Sequence, residues 1–123
     1  MVELLHAEIT GQIIKAAFEV YNQLSYGFLE KVYQRAMQVE LLHQGSTCEC
    51  ESRIVVKYKN VVVGEYFADL FVDQKVVVEL KVAKQYNPAD DPQLLNELKA
   101  TGIKVGMLVN FGKSGVEYKR FVY

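Results

Sequence analysis

The segment VVVGEYFADLFVDQKVVVELKVA, Val61 to Ala83, decides the fold. Two apolar, β-branched runs flank Asp73-Gln74-Lys75, whose polar side chains suit a tight turn, so the segment reads as an antiparallel hairpin. Side chains alternate across a strand, which predicts Glu65, Phe67, Asp69 and Phe71 on one face of the first arm and Val77, Glu79 and Lys81 on one face of the second. Both arms are otherwise apolar on both sides, as in a sheet covered by helices. Asp69, Glu79 and Lys81 are therefore charges in a half-buried setting, where charges need partners.

Upstream, IVVKY (Ile54 to Tyr58) leads through a Lys59-Asn60 turn into the hairpin, so a strand from Arg53 onward completes three consecutive antiparallel strands. Before it, apolar residues at spacings of three and four predict a helix from Val2 to Leu24 and, after the break at Ser25-Tyr26-Gly27, a second through Leu29, Val32, Tyr33, Ala36, Met37 and Leu41, ending near Gly45. Downstream, Pro92 to Ala100 reads as a third helix stopped by Gly102, followed by the strands IKVGMLVNF and VEYKRFVY about a Gly112 to Gly115 turn. The order is ααβββαββ, in a single domain spanning residues 1–123.

Length and composition agree with one core. A chain of 123 residues, half apolar and 24% charged, lies far from the signature of disorder. Fourteen basic and fifteen acidic side chains give a net charge of -1, which offers a polyanion no general attraction. No apolar run approaches the roughly 20 residues that span a bilayer, and Met1 to Thr10 carries Glu3 and Glu8 rather than a basic leader, so a cytoplasmic protein without membrane association is expected. Cys48 and Cys50 would need two further ligands to hold zinc, and His6 and His43 are scattered.

Two neighbouring carboxylates repel and raise each other's pKa unless a cation lies between them. One lysine cannot neutralise both; a hard divalent ion can, using oxygen ligands while keeping several waters. The blander alternative is a cross-strand ion pair between Asp69 and Lys81 with Glu79 in solvent.

Asp69 followed across a hairpin by Glu79-Leu80-Lys81 resembles the D...(D/E)-x-K signature of the PD-(D/E)XK nucleases. Gly27-Phe28-Leu29-Glu30-Lys31-Val32-Tyr33 is similar to the motif of the GxxExxY protein family. Gln93-Leu94-Leu95-Asn96, Lys99-Ala100-Thr101-Gly102 and Asn110-Phe111-Gly112 follow in that family's order, so the likeness covers nearly the whole chain. Two positions depart from the pattern: Glu97 stands where an aromatic is usual, four residues after the glutamine, and Ala68 replaces the proline before Asp69.

The resemblance implies a nuclease-like (restriction-endonuclease-like) α/β core with a central mixed sheet flanked by helices, and a Mg²⁺- or Mn²⁺-dependent nuclease acting on DNA or RNA. Asp69 and Glu79, with the Leu80 carbonyl and Glu30, would hold the metal, and Lys81 would position the attacking water or stabilise charge. With Gly27 as N-cap, Glu30 would occupy the third helical position and Tyr33 would lie one turn on. Gln93 and Tyr33 would contact the substrate. The alternative is a non-catalytic nuclease-fold module that binds nucleic acid or protein, in keeping with the small size and near-neutral charge; a homodimer or a protein partner would extend its surface. Lys84, Lys113, Lys119 and Arg120 are scattered basic residues without interleaved aromatics.

Overall fold

A computed structural model describes residues 4–123; the expected helix start at Val2 lies outside them, and the described helix begins only at Ala7, because His6 before it is left-handed, φ 56°. The chain forms α1 (Ala7–Leu24), α2 (Glu30–His43), β1 (Cys48–Tyr58), β2 (Val61–Val72), β3 (Val76–Lys81), a 3₁₀ turn at Pro88–Asp90, α3 (Asp91–Thr101), β4 (Val105–Phe111) and β5 (Val116–Val122). The expected order holds. The hairpin turns are Lys59-Asn60 and Asp73-Gln74, all four residues with positive φ, as two-residue turns between twisted strands demand. Gly102 caps α3 in the left-handed conformation, φ 76°.

The five strands lie in sequence order, with β3 and β4 parallel and every other pair antiparallel. A parallel pair cannot be joined by a tight turn, and α3 makes the crossover. One core packs Ile13, Ala17, Tyr33, Met37 and Leu41 of α1 and α2 against Leu70, Val78, Leu80 and Met107; the other packs Leu94 and Leu98 of α3 against Ile54, Ala68, Val77 and Leu108. Covered on both faces, β4 is buried throughout. Gly106 lets α3 sit close, because a Cβ there would lie 3.2 Å from Leu94 Cδ1 and 3.3 Å from Leu98 Cδ2. Gly106→Val is expected to destabilise the fold by about 1–3 kcal/mol through overpacking, read as a lower urea midpoint at unchanged slope.

Three expectations are corrected. First, β1 begins at Cys48 rather than Arg53, because Cys48, Glu49 and Cys50 pair with Val72, Phe71 and Leu70. Second, Leu29, not Gly27, is the N-cap of α2, which makes Glu30 its first residue rather than its third; Gly27, with φ 117°, belongs to the preceding loop. Third, β2 does not alternate uniformly. Ala68 packs on the α3 side and Leu70, two residues on, packs on the α1–α2 side, so the strand changes phase at Asp69. Opposite it, Glu51 has φ 51° and no ladder pairing to Asp69. Phe71 therefore packs on the α3 side, while Phe67 faces out at 55% exposure. Local irregularities of this kind re-aim a side chain.

Candidate active site at the fork between β2 and β3

β2 pairs with β3 only across Leu70↔Val78, Phe71↔Val77 and Val72↔Val76; beyond Leu70 the two strands part. At the fork, Asp69 Oδ2 accepts the Leu80 backbone N–H at 2.8 Å, supplying the bond the departing strand no longer makes. From α2, Gln34 donates Nε2 to the Asp69 carbonyl oxygen at 2.9 Å. Gln34 is only 4% exposed and sits beside the buried stripe of Tyr33, Met37 and Leu41. A glutamine in that stripe, one turn after Glu30, was a legible but unread signal.

Glu79 and Lys81 both point to the α3 side of β3, as alternation from Val77 requires. Glu79 is largely buried and its Oε1 has no hydrogen-bond partner among the described residues. Burial first, then the charges of Asp69 and Glu97, push its carboxyl up to about 9. Glu30 stands at the solvent rim; partial burial and Asp69 raise its pKa, and Lys81 pulls it back. The Asp69 carboxyl lies within hydrogen-bonding reach of both Glu30 and Glu79. Lys81 is exposed and makes no ion pair among the described residues, so the alternative of an Asp69–Lys81 pair with Glu79 in solvent does not describe the site.

Between β3 and α3 lies a cavity of about 30 Å³ bounded by Glu79, Lys81, Gln93 and Glu97. Gln93 donates to Glu97 Oε1 at 3.3 Å, and Glu97 Oε2, like Glu79 Oε1, is buried without a partner. Glu97, the departure noted in the sequence, is thus a member of the site. On the other side of Lys81 a cleft of about 230 Å³ is lined by Glu30, Tyr86 and Asn87.

Tyr33, expected at the substrate, is fully buried: it stacks on Phe111 with centroids 4.4 Å apart, and its hydroxyl holds the Ser25 carbonyl. Its part in the motif is to pin the loop from which Glu30 emerges. Asn110 plays the matching part across the sheet, accepting from Ala83 N at 2.9 Å and donating to Ala83 O at 3.0 Å, which holds the chain just beyond Lys81. Asn110→Ala leaves both Ala83 groups unpaired and is expected to destabilise by about 2–4 kcal/mol in chemical denaturation. Elsewhere, Lys119 is paired with Asp91 at 2.7 Å and Arg120 binds the Leu5 carbonyl. Burial pushes the Cys48 thiol up to about 12, which disfavours a zinc thiolate.

Among the described residues no three acidic, histidine or cysteine side chains converge as a preformed metal cluster. The donor set nevertheless suits a hard divalent ion: it is all oxygen, and the buried, unpartnered Glu79 Oε1 gains from a cation what its surroundings withhold.

The mixed five-stranded sheet covered on both faces, with two carboxylates and a lysine at a strand fork, defines a nuclease-like α/β domain. The chain belongs to the PD-(D/E)XK nuclease superfamily, whose family model matches residues 7–121. A solved structure titled "Crystal structure of SSO0001" is similar over 93% of this chain and 77% of that one, at 16% identity and a TM-score of 0.45. No curated protein matches the chain. Among the described residues no helix is long and apolar enough to cross a membrane.

Proposed function

We propose that this chain is a divalent-metal-dependent phosphodiesterase that hydrolyses DNA or RNA. The observation that carries the reading is the Glu79 carboxyl, buried beside Asp69 with its Oε1 unpartnered among the described residues, and Lys81, without an ion pair among them, two residues on along the same strand face. Asp69, Glu79, Glu30 and the Leu80 carbonyl would hold Mg²⁺ or Mn²⁺. The bound ion would lower the pKa of a water and neutralise charge developing on the phosphate.

The protein's own groups do the rest. Asp69 is held in place by Leu80 N–H and Gln34, so its free carboxylate oxygen is oriented before anything binds. Lys81, as a compact ammonium, positions the attacking water or stabilises the phosphoryl oxygens. Gln93 orients Glu97 or reaches a substrate phosphate. The order of motifs from Gly27 to Gly112 supports placement in the GxxExxY family.

The test is Mg²⁺ and Mn²⁺ calorimetry on wild type and Asp69→Ala, beside cleavage of single- and double-stranded DNA and RNA. Binding and cleavage that both vanish in Asp69→Ala are the expected result. Wild-type protein that binds neither ion at millimolar concentration would instead favour a non-catalytic binding module, the reading that the net charge of -1 supports.

A further inference from the structure

We propose that the groove between the β1–β2 ribbon and α3 is a nucleobase subsite that receives an unstacked base next to the phosphate at the Glu79–Lys81 cavity. The proposal rests on the phosphodiesterase reading of that cavity and names the substrate class: single-stranded nucleic acid.

The groove is shallow and open to solvent, with a volume of about 590 Å³. Val56 and Val63 from the ribbon and Ala100 from α3 give it apolar walls, Tyr66, partly buried against the α3-side core, lines it, and Gln93 and Asn96 add amides. Among the described residues it is lined by no lysine or arginine; its charged lining is Glu65 and Glu97. Those carboxylates repel phosphates but not a neutral heterocycle, which is flat, apolar on its faces and hydrogen-bonding at its edges. Aromatic faces accept bases of any sequence, and side-chain amides match their polar edges.

Continuity with the cavity fixes the occupant. Gln93 and Glu97 line both spaces, so a base seated on Tyr66 brings its neighbouring phosphate to Glu79 and Lys81. A base in a duplex is stacked on both faces and cannot turn into the groove, whereas a single strand offers unstacked bases without that penalty. Because no cation lines the groove, affinity should depend on the base more than on salt.

The experiment measures anisotropy of a fluorescein-labelled single-stranded oligonucleotide, with Ca²⁺ in place of Mg²⁺, against the same strand bearing abasic sites and against its duplex. The full chain is used as wild type, Ala100→Trp and Val63→Trp; both substitutions fill the groove from exposed positions, so either covers for a failure of the other to fold. Expected is at least about tenfold weaker binding for the abasic strand, for the duplex and for each variant. Equal binding of abasic and normal strands, a preference for duplex, wild-type affinity in both variants, or no binding of any strand overturns the subsite. Hydrolysis of bis(p-nitrophenyl) phosphate by the wild type with Mg²⁺ separates the two readings. Hydrolysis with base-independent binding sinks the subsite alone; base-dependent binding without hydrolysis sinks the phosphodiesterase and leaves the subsite standing.

Discussion

Glu79→Gln is expected to make the metal-free protein more stable and to abolish the proposed cleavage. Burial, the Asp69 charge and the Glu97 charge raise the Glu79 pKa from 4.5 to about 9. The folded chain therefore holds a proton that the unfolded chain has released, and stability is lost as pH climbs between those two values. A glutamine carries no such liability. The gain should be on the order of 2 kcal/mol near pH 8, or about 5 to 10 °C in melting temperature, shrinking towards pH 5. Glu97, whose pKa burial also raises, lines the same cavity, so the profile of the wild type should be broad rather than that of one group. Millimolar Mg²⁺ should restore wild-type stability most at high pH and leave the glutamine variant unmoved. Cleavage should fall by about a thousandfold. Scanning calorimetry across pH with and without Mg²⁺ reads the first three effects, and a melting curve identical in both proteins at pH 8 would refute the buried, unpartnered state of the carboxyl.

Lys81→Met is expected to separate binding from turnover. Lys81 makes no ion pair among the described residues and its side chain is exposed, so stability should stay within about 0.5 kcal/mol of wild type. On the proposed phosphodiesterase mechanism the same substitution removes the ammonium assigned to the phosphate, and kcat should fall by about 10²–10⁴ with the metal dissociation constant changed less than a few-fold. Lys81→Arg should not recover the loss, because a planar fork is a poor substitute for a point charge on a flexible stem. A Lys81→Met protein that cleaves at the wild-type rate would remove the lysine from the mechanism and leave the carboxylates to act alone.

The apolar β-branched runs on either side of Asp73, the Lys59-Asn60 and Asp73 turns, and Gly102 make the element order readable from the sequence, because each is a local property of the chain. What local reading missed lies in tertiary geometry. The change of phase at Asp69 arises from β2 pairing with β3 at one end and only with β1 at the other, which alternation cannot register. The reach of Glu97 to the Glu79 cavity depends on how α3 crosses the sheet, and Gly106, which sets that approach, carries no side chain to announce it. Tyr33 and Glu30 stand three residues apart in one motif, yet one is core and the other rim, because α2 starts at Leu29-Glu30 rather than at Gly27.

The fork at Asp69 also divides the molecule mechanically. On one side β2 is a member of a five-stranded plate; on the other, residues 61–68 pair with β1 alone, with Tyr66 and Ala68 packed on the α3-side core and Val61 to Val63 exposed at the end of a two-stranded ribbon. Amide hydrogens should therefore exchange fastest at the Lys59-Asn60 tip and slow towards Tyr66 and Ala68, which pack on the α3-side core. The carboxylates of Asp69 and Glu79 thus stand where the exposed ribbon joins the five-stranded plate that anchors them.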